Sequence, residues 1–296
     1  MLIRKTQGLS ILKKYLFSGA VAVFCMATAV LALREMLIPK TVASCDLRYT
    51  KAGVFSWQRG NGRMLSALDL QAKLNGRDWG LIENARFVKT KDVPLGAAMV
   101  IGLPRENSKA RNRRMPSGVG FVWSPRWLKP ATAACLGYSL RLPKNFKFGS
   151  GGSLPGLFGG GGDAADEVNA RKSKTFSVQM HWRENKRLGL RLKSTEYPGG
   201  ISLDIDKNYL KLDVGRWIRV DQEIVLNTPG RANGVLRVWV DGKLRLDLKN
   251  LNYRAKPGEG LRGVVANIHY ANKDLRWAAS PQNTALALSS FFVRWK

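Results

Sequence analysis

The chain has 296 residues, of which 49 are Lys or Arg and 21 are Asp or Glu, giving a formal charge of +28. Such an excess does not help a chain fold; it gathers polyanions, so nucleic acid, anionic lipid or lipopolysaccharide, and acidic polysaccharide are the partner classes in view. Three cysteines and two histidines offer no zinc spacing, which argues against a metal-based mechanism, and no cofactor is expected.

Residues 15–33 (YLFSGAVAVFCMATAVLAL) are uncharged and mostly apolar. As a helix they span about 28 Å, close to the hydrocarbon thickness of a bilayer. Arg4, Lys5, Lys13 and Lys14 precede them, which predicts an inside N-terminus and an exported remainder. An uncleaved signal-anchor is favoured over a cleaved signal peptide, because no small-x-small site directly follows Leu33. The box Val42-Ala43-Ser44-Cys45 resembles a lipoprotein cleavage site, but Arg34, Glu35 and Lys40 separate it from the apolar run. Cys45 and Cys135 would both be exported, where an oxidising compartment could join them; two unrelated buried thiols is the other reading.

The stretch 41–84 reads as a connecting segment with one helix-like run at 64–74. From about Ala85 the pattern is β, with runs at 97–103, 119–123, 135–142, 175–183, 201–205, 217–226, 235–240, 261–270 and 285–294. Turn signals separate them, and Asp241-Gly242 followed by KLRLDL predicts a hairpin. Many short strands with few helices indicate a sandwich or jelly roll over 85–296. Residues 104–117 (PRENSKARNRRMPS) form a basic loop, either a solvated surface or a gatherer of anionic ligand. The stretch 146–162 (FKFGSGGSLPGLFGGGG) is dense in glycine yet carries Leu154, Pro155, Leu157 and Phe158. A flexible linker has no use for such anchors, so it reads as a shaped loop on the rim of the β-domain, where function often sits.

The strand 175–183 (TFSVQMHWR) is the most informative. Period-two alternation puts Phe176, Val178, Met180 and Trp182 on an inward face and Ser177, Gln179, His181 and Arg183 on the opposite one. That polar row suits β-elimination on a uronic acid. The C5 proton is acidic enough to leave only when the adjacent carboxylate is neutralised, which an amide or guanidinium does electrostatically. An imidazole of near-neutral pKa removes the proton. Gln179 and Arg183 are therefore candidate carboxylate ligands and His181 a candidate base, with Arg141 grouped among the binding residues. His269 and Tyr270 form a second candidate pair; alternation directs them to opposite faces unless the strand ends there. Tyr270 and Tyr197 are candidate acids. Asp204 and Asp206 share a face but lack the partner expected of a glycosidase pair. No nucleophile elbow, Walker loop or dinucleotide fingerprint is present.

GGSLPGLFGG resembles the GGKLPGL-GG signature of polysaccharide lyase family 14, the alginate and glucuronan lyases. FSVQMHWR resembles that family's F-S-x-R-F-M-W-R strand, and LNTPGRANGVLRVWVDG at 226–242 its LNTPG…NG-L-x-W-x-DG segment. The resemblance covers roughly 85–294 and implies a concanavalin A-like jelly roll acting on an acidic polysaccharide. It carries over residue by residue to Ser177, which is kept, and to Ser153 and Gln179, which stand where the family has lysine and arginine. The family's Tyr-x-Tyr pair falls near Leu190 and Leu192. Gln179-Met180-His181 is also similar to the Gln-x-His element of other jelly-roll alginate lyases, in which the His is the base. The resulting expectation is an exported, membrane-anchored lyase of a uronate-containing polysaccharide. The missing lysine and tyrosines motivate a second one, a non-catalytic binder on the same fold. Nucleic-acid binding rests on charge alone, and predicted export argues against it.

Overall fold

The computed structural model describes residues 26–28, 42–74, 78–105, 117–129, 131–161, 175–194, 196–206, 210–271 and 278–296. The chain divides into two compact units, Met1–Val42 and Ala43–Lys296. In the first, residues 26–28 are helical and the rest of the expected membrane segment lies outside the described residues. Among the described residues no helix is long and apolar enough to cross a membrane. The basic loop likewise falls outside them over 106–116.

The second unit is a β-sandwich of jelly-roll type. One sheet is built from β1 (Lys51–Phe55), β3 (Ala85–Lys89), β4 (Ala97–Leu103), β6 (Ala133–Arg141), β11 (Trp217–Val225), β12 (Gly234–Val240), β13 (Lys243–Leu251), β15 (Thr284–Ser289) and β16 (Phe291–Trp295). Its order is β13-β12-β11-β6-β15-β4-β3, with β16 pairing both β6 and β1. The other sheet holds β2 (Asp78–Trp79), β5 (Val119–Trp123), β7 (Gly152–Gly160), β8 (Thr175–Trp182), β9 (Leu188–Lys193), β10 (Ile201–Asp204) and β14 (Leu261–Tyr270), in the order β10-β9-β8-β7-β14-β5-β2. The helix expected over 64–74 is α1 (Ala67–Lys73), capped by a reciprocal Ser66–Asp69 box. Residues 43–84 do more than connect: they supply β1 and β2, and Phe55, Trp57, Leu70 and Leu81 join the core. The hairpin at Asp241-Gly242 forms between β12 and β13, both turn residues having positive φ (50° and 74°).

Inward side chains of both sheets make one core, in which Leu136, Tyr138 and Leu140 of β6 join Phe176, Val178, Met180 and Trp182 of β8. Each such side chain contributes about 1.5–3 kcal/mol on burial. Slipping β8 by one residue would forfeit all four, roughly 6–12 kcal/mol, so the direction of its polar row is strongly determined.

The glycine-rich stretch is not a rim loop. Its residues 152–160 form β7, a central strand between β8 and β14 whose nine residues are all buried. Glycine is needed there for space: a Cβ on Gly152 would lie 1.8 Å from the Trp182 ring. A register shift between Ser153 and Gly156 makes a bulge at Leu-Pro-Gly. Groups from the opposite sheet satisfy the backbone around it. Fully buried Gln222 of β11 accepts from the Leu157 N–H at 2.9 Å and donates to the Val178 carbonyl at 3.0 Å. The Tyr138 hydroxyl donates to the Pro155 carbonyl at 3.3 Å.

The start of this unit is fastened to the outer face of the first sheet. Cys45 and Cys135 form a disulfide. Arg48 and Arg237 pair with the fully buried Glu223 carboxylate at 2.5 and 3.0 Å, and the Tyr49 hydroxyl donates to it at 2.6 Å.

Candidate functional site

The outward face of the second sheet carries the polar row. His181 of β8 lies opposite Ser153 of β7, and Ser153 lies opposite His269 of β14. The two histidines therefore flank one serine on one face, with their strands roughly 9–10 Å apart. Ser153, Ser177, His181 and His269 are each at least nine-tenths buried, so this face is a recessed floor rather than an open sheet surface. Gln179 sits one outward position along β8, and its Oε1 accepts from the Ser153 hydroxyl at 3.2 Å.

The two imidazoles differ. Arg183 donates through Nε to His181 Nε2 at 3.1 Å, so the His181 lone pair is engaged and its proton sits on Nδ1. That Nδ1 is buried without a hydrogen-bond partner among the described residues. Burial, then the charges of Arg183 and Arg191, push His181 down to about 3. Its ring has room because Gly189 faces it across β9: a Cβ there would lie 2.5 Å from Nε2. Arg183 also pairs with Asp204 of β10 at 3.3 Å. In His269 the Tyr270 carbonyl accepts from Nδ1 at 2.8 Å, which leaves Nε2 as the lone-pair nitrogen. Burial lowers the His269 pKa and that hydrogen bond opposes the shift. Trp79 packs beside it, ring centroids 5.9 Å apart.

The structure thus brings together Ser153, Ser177, Gln179, His181, Arg183 and His269 on one face, and keeps three other candidates away from the two histidines. Tyr270 points into the core as alternation requires: it is fully buried, stacks on Phe146, meets Trp182 edge-on, and donates to the Lys147 carbonyl at 2.5 Å. Burial pushes its pKa up, and it is no acid for this face. Tyr197 lies in the β9–β10 turn, four or more residues along β9 from Gly189, or roughly 13 Å by strand rise; a hydrogen bond to Glu196 raises its pKa. Arg141 ends β6 in the other sheet. Asp204 and Asp206 are ion-paired with Arg183 and Arg245, unlike a poised acid pair.

Arg191 and Lys193 were not among the sequence candidates. They face outward from β9 opposite Gln179 and Ser177. The signal was legible in LGLRLK: Leu188, Leu190 and Leu192 are buried core residues, so the residues between them line the site. A tyrosine at Leu190 or Leu192 could not have reached this face. Among the described residues none of the groups of three or more His, Cys, Asp or Glu that a metal ion needs is found.

The model of the family described as polysaccharide lyase 14 matches residues 94–189 and 192–291, most of the sandwich. The chain belongs to polysaccharide lyase family 14. Its fold is shared with solved members and relatives at low identity. The alginate lyase of Aplysia kurodai aligns with TM-score 0.63 and 20% identity over 83% of this chain and 100% of that one. An alginate lyase from Chlorella virus gives 0.60 and 20% over 77% and 97%. The alginate lyase Aly36B gives 0.55 and 15% over 83% and 97%. No curated protein matches in sequence. Within this family-14 chain the three resembling motifs play distinct parts. GGSLPGLFGG is the bulged central strand, and FSVQMHWR carries the polar row. LNTPG is structural: the Asn227 side chain is buried, donating to the Arg231 and Arg254 carbonyls and accepting from the Tyr253 and Arg254 N–H groups.

Proposed function

We propose that the chain is a lyase that cleaves a uronate-containing polysaccharide by β-elimination on the outward face of the second sheet. The observation that carries this reading is the placing of His181 and His269 on either side of Ser153 on one recessed polar floor, with Arg183, Arg191 and Lys193 alongside. His269, not His181, is the base, because its Nε2 keeps the lone pair that Arg183 occupies on His181. Gln179 and the β9 cations neutralise the carboxylate, on which charge builds in the transition state. His269 takes the C5 proton, the C4–O bond breaks, a C4=C5 double bond forms, and the imidazolium returns its proton to the departing oxygen when both leave from one face.

The test is the far-ultraviolet absorbance of unsaturated ends released from a panel of uronate polymers. His269→Ala is expected to lower turnover by about 10²–10⁴-fold, the usual contribution of a general base. The acid limb of the pH–rate profile is expected below the ordinary histidine value of 6.5, in keeping with the lowered His269 pKa. Full turnover in His269→Ala would remove this mechanism. Binding without any turnover by the wild type would favour a second reading, a non-catalytic binder. That reading is motivated by Ser153 in place of the family's lysine and by the described tyrosines: Tyr138, Tyr253 and Tyr270 are in the core, Tyr49 bonds Glu223 on the other sheet, and Tyr197 lies in the β9–β10 turn away from the histidines.

We further propose that the sandwich works in an oxidising, extracytoplasmic compartment, a reading supported by the Cys45–Cys135 disulfide and the apolar stretch at 15–33. Alkylation of thiols in protein taken directly from its host, showing both cysteines reduced, would count against it.

A further inference from the structure

At the end of the sandwich away from the histidines, three indoles meet. Trp127, on the turn of 3-10 helix Arg126–Leu128, stacks on Trp295 of β16 with centroids 4.1 Å apart and meets Trp123 of β5 edge-on at 5.6 Å. β1 makes room for it with a glycine, since a Cβ on Gly53 would lie 2.5 Å from the Trp127 ring. Trp127 nonetheless remains 38% exposed, the only aromatic among the exposed large hydrophobic residues of the described part. A tryptophan serving only to plug the sandwich would be expected to disappear beneath its neighbours.

Charge supplies the second observation. The three segments that meet here, residues 51–55, 123–129 and 291–296, contain Lys51, Arg126, Lys129, Arg294 and Lys296 and no Asp or Glu. Lys51 lies directly opposite Trp295 in the sheet; Arg126 and Lys129 bracket Trp127, and Lys296 follows Trp295. Lys51, Arg126, Lys129 and Lys296 are all exposed. Among the described residues no ion pair engages these four, whereas Arg48, Arg59, Arg183, Arg216, Arg219, Arg237 and Arg245 elsewhere each hold a carboxylate.

We propose that this aromatic patch, whose three segments carry no acid, is a second binding site for an acidic polysaccharide, separate from the histidine floor. An indole gives the apolar face of a sugar ring a surface to stack on, and its polar edge tolerates water; the surrounding ammonium and guanidinium groups take the carboxylates. Trp123 pairs with Val264, and His269 lies five residues further along β14, so the patch is roughly 17 Å from the site. A polymer of several residues can engage both; a short oligomer cannot. Two linked contacts raise polymer affinity without changing the chemistry at either. The inference rests on the reading that the partner is an acidic glycan.

The test titrates full-length protein with high-molecular-weight alginate and polyglucuronate, and with an alginate trisaccharide, at two salt concentrations. Arg126→Ala/Lys129→Ala and Trp127→Ala are each expected to weaken polymer binding roughly tenfold, equivalent to about 1.4 kcal/mol, while trisaccharide binding and turnover stay unchanged. The charge variant is also expected to flatten the salt dependence. Trp127→Phe, which keeps an aromatic face, is expected to recover most of the affinity. Because Trp127→Ala also removes packing, the surface charge variant decides the matter if that protein does not fold. Unchanged polymer affinity in the charge variant overturns the proposal, as does equal loss for polymer and trisaccharide. Loss of binding to phosphatidylserine vesicles, with polymer binding intact, would assign the patch to a membrane surface instead. A wild-type chain with trisaccharide turnover but no patch effect sinks only this site; one that binds no uronate polymer sinks the underlying reading as well.

Discussion

His181 and His269 show how two identical side chains on one floor acquire different chemistry from their neighbours. The Arg183 N–H engages the lone pair of His181, whereas the Tyr270 carbonyl accepts from Nδ1 of His269 and leaves the lone pair on Nε2. Holding a neutral imidazole under cations also links stability to pH. The folded His181 titrates at about 3 against an ordinary 6.5, so between those values the unfolded chain binds a proton that the folded chain does not. This contribution is therefore complete above 6.5 and is lost as pH falls, at up to about 1.4 kcal/mol per pH unit. Denaturant titrations from neutral to acid pH should show wild type losing stability more steeply than His181→Gln. Parallel curves for the two proteins would mean that His181 is not held neutral. The sequence pattern already showed which face His181 occupies, because four core residues fix the parity of β8. It could not show which nitrogen is engaged, because that depends on Arg183 curling back from beyond the strand end.

Among the elements, β7 is where expectation and structure part most. Four glycines and a proline in nine residues oppose strand formation locally. They are tolerated because the neighbours need the space: Trp182 lies across Gly152, and the bulge at Leu-Pro-Gly is stitched by Gln222 from the opposite sheet. No local pattern carries that information, since Gln222 is 65 residues from Leu157. Gln222→Leu would leave the Leu157 N–H and Val178 carbonyl buried and unpaired, at about 1–3 kcal/mol each. A fall of roughly 2–6 kcal/mol in unfolding free energy, with the family-14 site nearby loosened, is expected from urea titration and from His269-dependent turnover. A neutral effect would mean that water or a shifted backbone replaces the amide. Strands with clean alternation or long apolar runs were legible to within a residue or two, β4, β5 and β14 among them. The run at 285–294 is two strands rather than one, because Ser290 breaks it and accepts from the Trp57 N–H at 3.2 Å.

At the scale of the whole molecule, the sandwich is fastened at its beginning as well as through its core. The disulfide closes a separation of 90 residues, and the Glu223 cluster holds the adjoining Arg48 and Tyr49. Removing the bridge by Cys45→Ser/Cys135→Ser should cost about 2–4 kcal/mol, read as a lowered denaturation midpoint under non-reducing conditions. If the midpoint does not move, the ion-paired segment is sufficient on its own. The fold class was legible because turn signals recur along the chain; the role of 43–84 was not, since β1 has only a short apolar run and its partner lies at the other end of the sequence. That pairing also governs time. Lys51 is in register with Trp295, and β16 is the only strand that β1 pairs with among the described residues. Of the described strands β1 therefore leaves the ribosome first and waits unpaired until β16 has been made, which makes closure of the sandwich a late, high-contact-order event and slow folding the expected behaviour of this fold.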